Sequence, residues 1–160
     1  DIKAAIESLP KKKYLNIMIF GLGGVGEPLF NVLKSKYPSA NFYLITKKKN
    51  SYFKKKKVFV RHKINNREFS KIDLFINCSP IGSNLSQRFI KNSPIKLNYL
   101  KKSKKGIFIF DIVYKPKKTL LSKFCKKLKI EYKNGIEMNT KQAIYALQKV
   151  NKFYAKQKLS

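Results

Sequence analysis

Residues 15–26 read Leu-Asn-Ile-Met-Ile-Phe-Gly-Leu-Gly-Gly-Val-Gly, and this stretch decides the fold of the chain. The apolar run predicts a buried strand, and the helical spacing from Val25 to Leu33 predicts a helix directly after the glycines. Between a strand and a helix, Gly21 permits the tight turn, Gly23 lets the backbone approach a pyrophosphate, and Gly26 lets the helix pack closely on the strand. The N-terminus of that helix would face the anion. We therefore predict a dinucleotide-binding unit.

Apolar runs and helical patterns alternate along the remaining chain. Further strands are predicted at residues 41–46, 58–60, 74–77, 107–111 and 130–132. Thr119 is the predicted cap of a helix that runs to Leu128, and Asn139 or Thr140 is the predicted cap of a last helix that ends near Lys156. Strands that alternate with helices indicate a Rossmann-like, doubly wound and mainly parallel sheet of about six strands, with helices on both faces. We expect a single domain over residues 1–160, with ligands beyond the carboxyl ends of the strands.

Composition narrows the class of protein. Hydrophobic residues make up 43% of the chain, which argues against disorder. No apolar run approaches the roughly 18 residues needed to cross a membrane. Cys78 and Cys125 have no metal-ligand spacing and His62 is the only histidine, so we expect no metal site and a reduced, cytoplasmic setting. The chain starts at Asp1 without an initiator Met or a signal pattern, which suggests a piece of a longer protein.

The net charge of +29 has two interpretations. Clustered cations bind nucleic acid by neutralising phosphates. However, only three of the 37 basic residues are arginines, and the lysines are scattered over the whole chain. Specific readers of bases rely on the planar guanidinium of Arg. We therefore favour a coding bias, with non-specific nucleic-acid binding at most.

The end of the second predicted strand indicates which dinucleotide would bind. NAD-binding domains carry an acidic residue about 20 positions past the glycine string, where it bonds the ribose. Here Thr46 stands at that position, and Lys47 and Lys48 follow it. No carboxylate is present to repel a 2′-phosphate, so the sequence favours NADP over NAD. A lysine-rich surface without a ligand is the alternative.

Two later segments place polar groups at predicted strand ends. Residues 77–82 read Asn-Cys-Ser-Pro-Ile-Gly, with small residues where a nicotinamide ribose would pass, although a plain turn explains them equally well. Cys78 has no nearby His and fits a buried residue better than a nucleophile. Residues 111–116 read Asp-Ile-Val-Tyr-Lys-Pro. Asp111 is either a site carboxylate or a cap for backbone N–H groups, and Tyr114 is a candidate site residue.

Five ordered segments resemble the shikimate and quinate dehydrogenase family, in its C-terminal, NADP-binding domain. They are residues 21–26, 46–48, 77–82, 111–116 and 134–143, the last reading Asn-Gly-Ile-Glu-Met-Asn-Thr-Lys-Gln-Ala. The resemblance covers essentially the whole chain. Residues 46–48 depart from the family's Asn-Arg-Thr, because Lys replaces the planar Arg.

The resemblance implies reversible, NADP-linked reduction of 3-dehydroshikimate to shikimate, and it assigns roles to particular residues. Tyr114 and Gln142 would bind the substrate, and Asp1 would pair with a catalytic Lys of a substrate domain outside this chain. Without that domain, the chain is expected to be inactive. The implied cofactor-binding residues are Gly21, Gly23, Gly24, Val25, Gly26, Thr46, Lys47, Lys48, Cys78, Ser79, Pro80, Ile81, Ile112, Gly135 and Met138.

Several alternatives remain open at this stage. The substrate could be quinate or another relative of shikimate, and the protein could form a homodimer. A glutamyl-tRNA reductase or a methylene-tetrahydrofolate dehydrogenase domain would have a similar glycine string, although Tyr114 and Gln142 argue against both. A basic module that binds nucleic acid is the alternative of a different class.

Overall fold

The computed structural model describes residues 2–47 and 56–157, with side chains described as far as Phe153. The elements in chain order are α1 (Ile2–Glu7), β1 (Asn16–Phe20), α2 (Gly26–Lys36), β2 (Asn41–Ile45), β3 (Val58–Arg61), α3 (Asn66–Phe69), β4 (Leu74–Asn77), α4 (Gln87–Ile90), α5 (Leu97–Leu100), β5 (Phe108–Asp111), α6 (Leu120–Leu128), β6 (Glu131–Asn134) and α7 (Ile136–Gln157). No helix among these is long and apolar enough to cross a membrane.

The six strands form one parallel sheet in the order β3-β2-β1-β4-β5-β6. Successive strands run outward from β1 to one edge, and the chain then returns through β4 to the other edge. The order reverses between β1 and β4, and ligands in such sheets bind outside the carboxyl ends of the strands at that point. The predicted Rossmann-like architecture is confirmed.

Helices cover both faces of the sheet because alternate strand residues point to opposite sides. On one face, Ile17 and Ile19 of β1 pack with residues of α1, α2 and α7. On the other face, Met18 packs with residues of α3, α5 and α6. Side chains buried on both faces explain why the strands read as continuous apolar runs.

Two element boundaries differ from the sequence-based prediction. The last helix begins at Ile136, where the side chain of Asn134 accepts a hydrogen bond from the Ile136 N–H at 3.2 Å. Asn139 and Thr140 therefore lie inside α7 rather than at its cap. The sixth strand is Glu131–Asn134 instead of residues 130–132, because pairing with β5 extends it to the register of Asp111. Thr119 caps α6 as predicted, accepting from the Ser122 N–H.

Asp73 joins three segments at the amino-terminal edge of the sheet. Its Oδ2 accepts hydrogen bonds from the backbone N–H groups of Leu15 and Asn16, both at 2.9 Å, and Lys104 pairs with its other oxygen. Burial alone would raise the pKa of the carboxyl, but these hydrogen bonds outweigh burial and hold the pKa below its usual value. The carboxylate thus stabilises the start of β1.

We expect Asp73→Ala to lower the free energy of unfolding by about 2 kcal/mol at pH 7, since bonds to a charged acceptor are lost. A group with a lowered pKa contributes stability above its unfolded pKa, and this contribution disappears as the pH falls through the folded value. The gap between variant and wild type should therefore close in acid. Urea denaturation at several pH values measures it. Glu131→Ala is the control, because that exposed carboxylate only approaches Lys12 at 3.8 Å; equal losses in the two variants would contradict the assignment.

Candidate functional site

The glycine loop after β1 is packed against its neighbours on one side. Gly21 has φ +92°, in the left-handed region, and its N–H donates to the Ile45 carbonyl at 2.9 Å. A Cβ added at Gly26 would lie 2.0 Å from the Gly21 carbonyl oxygen. The chain therefore needs glycine at both positions to enter α2, which is the close helix-to-strand packing expected from the sequence.

The opposite side of the same loop is open. Within the described chain, a Cβ added at Gly23 or Gly24 would meet no atom within 4 Å. The N-cap of α2 is Val25, whose apolar side chain makes no capping hydrogen bond, and the Glu27 N–H donates to the Gly23 carbonyl at 3.2 Å. Unpaired N–H groups at a helix start attract anions. The loop and the 11-residue helix α2 thus fit a pyrophosphate that reaches bare backbone.

Thr46 and its neighbours form the corner beyond β2 and β3. The Thr46 N–H donates to the Arg61 carbonyl at 2.9 Å, and Nδ1 of His62 donates to the Thr46 carbonyl at 3.0 Å. The Arg61 guanidinium is paired with Glu68, at 2.7 Å and 3.0 Å to Oε1. Lys47 is exposed. Lys48 and Asp1, two of the predicted site residues, lie outside the described residues.

A cavity of about 390 Å³ near this corner escaped the sequence analysis. Phe20, His62 and Tyr99 line it together with Pro94. These residues come from the end of β1, the segment after β3 and the α5 region, so only the tertiary structure brings them together. Its aromatic walls and its place beside Thr46 suit a planar heterocycle such as adenine. The one signal in the sequence was an aromatic residue, Phe20, just before the first glycine.

Asn77 ties the next two strand ends together. Its Nδ2 donates to the Asp111 carboxylate at 2.9 Å and to the Ile81 carbonyl at 3.1 Å. Its Oδ1 accepts from the Ser79 N–H at 3.1 Å and from the Ser79 hydroxyl at 2.7 Å. The amide thereby makes four hydrogen bonds, its full complement. Asn77 fixes the turn at residues 78–82 and anchors it to β5.

Asp111 proves to be a buried cap. It is 0% exposed, and besides Asn77 its carboxylate accepts from the Val113 N–H at 3.1 Å and from the Tyr132 hydroxyl at 3.3 Å. Burial raises the pKa of this carboxyl to about 6, against the opposing effect of these hydrogen bonds. Burial, with the nearby Asp111 charge, also raises the pKa of the Cys78 thiol to about 12. Cys78 is therefore a protonated thiol at neutral pH, as its lack of a base suggested.

Tyr114 lies on the open side of this network and is 43% exposed. It lines a cavity of about 270 Å³ with Ser79, Pro80 and Ile112. The turn after β4 and the segment after β5 therefore form two walls of one crevice, as predicted from the strand ends. The crevice is large enough for part of a ring-sized ligand.

The segment after β6 approaches the same crevice. A Cβ added at Gly135 would lie 2.1 Å from the Ile112 carbonyl oxygen, so glycine is needed for the close contact. Met138 is only 6% exposed and packs in the core between sheet and helices, which leaves little of its side chain for a ligand. Gln142 is half-buried on α7, one helical turn beyond Met138.

Sequence comparison finds relatives among the shikimate dehydrogenases. No family model matches the chain. A shikimate dehydrogenase (NADP(+)) of Caldanaerobacter subterraneus is 32% identical over 79 residues, covering 49% of this chain and 26% of that protein. The enzyme of the same name from Clostridium botulinum is 29% identical over 138 residues, covering 84% and 50%. The chain thus spans about half the length of the latter relative.

Solved structures give the same result at the level of the fold. Shikimate dehydrogenase of Aquifex aeolicus matches with a TM-score of 0.69 and 20% identity, covering 92% of this chain and 52% of that one. A shikimate dehydrogenase in complex with NADP+ matches with a TM-score of 0.61 and 22% identity, covering 85% and 48%. A Listeria monocytogenes shikimate 5-dehydrogenase in complex with shikimate and NAD also matches, with a TM-score of 0.61, 16% identity and 86% and 51% coverage.

The six-stranded parallel sheet and the glycine turn after β1 define the class as a Rossmann-like α/β domain. Among such domains, the chain is similar in sequence to shikimate dehydrogenases (NADP(+)) and similar in fold to about half the length of solved shikimate dehydrogenases.

Proposed function

We propose that this chain is the NADP-binding domain of a shikimate-type dehydrogenase, which interconverts 3-dehydroshikimate and shikimate with the cofactor as hydride carrier. One observation carries the proposal: the glycine loop is tightly packed at Gly26, whereas at Gly23 and Gly24 an added Cβ would meet no described atom within 4 Å. That asymmetry leaves room for a ligand to approach the backbone of the loop. The names of the relatives support the choice of substrate and cofactor.

In this proposal, residues that follow five of the six strands bind the cofactor. Residues 21–26 hold the pyrophosphate, and Thr46 with Lys47 and Lys48 binds the 2′-phosphate through ammonium charges. Cys78 to Ile81, Ile112, Gly135 and the small exposed part of Met138 line the nicotinamide side. Tyr114 and Gln142 reach the substrate, and Asp1 pairs with a general-acid Lys outside this chain. Hydride transfer itself is the chemistry of the bound cofactor.

A second domain would complete the substrate site. Four large apolar residues of α7, spaced three positions apart, are strongly exposed, and exposed apolar surface of this kind marks an interaction site. They are Ile144 (46%), Leu147 (64%), Val150 (49%) and Phe153 (59%). Because the relatives are about twice as long, we propose that their remaining half, the substrate domain, covers this face. Cys78 and Cys125 are unpaired thiols, which fits a cytoplasmic setting.

Titration of the chain with NADP+ and with NAD+ tests the proposal. We expect NADP+ to bind at least tenfold more tightly, because no carboxylate stands at the end of β2 and cations surround it. Isothermal titration calorimetry gives both dissociation constants. Equal affinities would refute the NADP assignment, and absence of binding to either would refute the function.

Lys47→Glu should weaken NADP+ binding about tenfold and leave NAD+ binding nearly unchanged, since only the 2′-phosphate meets the new charge. Lys36→Glu is the matched control. It makes the same change of charge on an exposed lysine, but at the far end of α2 and therefore at the opposite edge of the sheet. If both variants weaken NADP+ binding equally, the loss of affinity comes from the change in the net charge of the protein and not from a contact with the 2′-phosphate.

A further inference from the structure

Asp111 is a buried anion with no counter-ion among the residues that the structure describes. The protein carries 37 basic residues, yet none of the ion pairs between described residues includes Asp111. Its partners are the amide of Asn77, the Val113 N–H and the hydroxyls of Tyr132 and Thr119. These dipoles solvate the carboxylate without cancelling its net charge. At 0% exposure, the charge is also shielded from water and salt.

The position of this charge relates it to the crevice. Asp111 is the last residue of β5, next to Ile112 and directly opposite Asn77 in the sheet register. Asn77 holds Ser79, and both Ser79 and Ile112 line the crevice beside Tyr114. A charge in a poorly polarisable interior acts over a longer range than one in water. Its field therefore reaches the end of the site where the nicotinamide would lie.

We propose that the Asp111 carboxylate makes the site bind the oxidised cofactor, with its positively charged nicotinamide ring, more tightly relative to the neutral reduced form. The inference rests on the proposed function. Both cofactor forms carry the same phosphates, so interactions at the glycine loop and at Thr46 contribute equally to both. Only a charge near the ring separates them. Asp111 therefore makes the site distinguish the oxidised from the reduced cofactor through the electrostatic field of its carboxylate, without contacting the cofactor.

Asp111 is also the group in its cluster that titrates near neutral pH. The titratable side chains that face it are Cys78 after β4, Cys125 on α6 and Tyr132 on β6. Burial raises the pKa of both thiols to about 12 and raises the pKa of the Tyr132 hydroxyl as well, so all three stay neutral. Because burial raises the pKa of Asp111 to about 6, its charge is removed in mild acid.

Separate titrations with NADP+ and NADPH at pH 8 test the proposal. Asp111→Asn should weaken NADP+ binding about tenfold and change NADPH binding less than twofold. The amide keeps the shape and can still accept from Asn77 and Val113, while its NH₂ group faces Tyr132. Tyr132→Phe is the control: it removes a hydrogen bond from the same carboxylate but keeps the charge, so the ratio of the two affinities should stay within twofold. Equal weakening of both forms in Asp111→Asn would mean that Asp111 only shapes the crevice, and would overturn the proposal.

The wild-type protein provides a second measurement that needs no substitution. Between pH 5.5 and pH 8 the preference for NADP+ over NADPH should rise severalfold, with a midpoint near the folded pKa of about 6. NADP+ and NADPH carry the same 2′-phosphate, so its protonation changes both affinities equally and leaves the ratio of the two affinities unchanged. A ratio independent of pH would refute the inference alone, provided that both forms bind. Failure of the wild type to bind either form would refute the proposed function and the inference with it.

Discussion

Gly26→Ala should destabilise the folded protein by about 3 kcal/mol or more. The new Cβ would lie 2.0 Å from the Gly21 carbonyl oxygen and 3.2 Å from Cβ of Cys78. Both neighbours are held by the sheet, so the clash cannot be relieved by rotating a side chain. Either α2 moves away from β1 or the turn opens, and both changes also remove the cofactor loop.

Urea denaturation of Gly26→Ala measures the loss, which at this chain length corresponds to roughly 10 °C in Tm. Gly24→Ala is the matched control, because its Cβ would meet no described atom within 4 Å. We expect Gly24→Ala to unfold within about 1 kcal/mol of wild type and yet to lose NADP+ affinity, since its methyl group enters the proposed pyrophosphate position. A Gly24→Ala variant that binds NADP+ normally would contradict the proposed site, and a stable Gly26→Ala would contradict the packing.

Asn77→Ala should cost about 3–4 kcal/mol of stability at pH 7.5. The substitution removes four hydrogen bonds and leaves the buried Asp111 carboxylate with one donor fewer. Removing a donor from a buried charge is more damaging than removing a neutral pair. The turn at residues 78–82 loses its anchor as well, so the crevice beside Tyr114 should lose its shape.

The pH dependence of this cost has a definite sign. An acid whose folded pKa lies above its unfolded value contributes stability at low pH, and that contribution is lost as the pH rises through the folded pKa. For Asp111 the window runs from its ordinary value to about 6. Loss of the Asn77 bond raises the pKa further, so Asn77→Ala should be more destabilising at pH 7.5 than at pH 5.

Denaturation of Asn77→Ala, Asp111→Asn and the double variant at both pH values completes the test. We expect Asn77→Ala to cost less in the Asp111→Asn background, with a coupling of about 1–2 kcal/mol at pH 7.5. Strict additivity, or an equal cost of Asn77→Ala at pH 5 and pH 7.5, would mean that the amide does not act on the carboxylate's charge.

The strands, the main helices and the glycine turn could be predicted from the sequence because each depends on residues that are close together in the chain. Apolar runs predicted all six strands, period-3.6 patterns predicted the main helices, and Gly21 and Gly26 marked a turn that other residues cannot enter. The start of α7 was misjudged, since Asn139 and Thr140 looked like caps while the true cap signal, Asn134, lay hidden in the end of a strand. Asn134 is both the last residue of β6 and the acceptor for the first N–H of α7, and its position depends on the pairing of β6 with β5.

The sequence by itself determined the order of the elements, the glycine turn and the absence of an acid after β2, because backbone sterics and residue type act over a few neighbouring positions. The tertiary structure decided what Asp111 does and which aromatic residues form the cavity beside Thr46. Those properties depend on desolvation and on partners from distant strands: Asn77 and Tyr132 meet Asp111 only when β4, β5 and β6 lie side by side. Burial is a property of the whole fold, and no single segment encodes it.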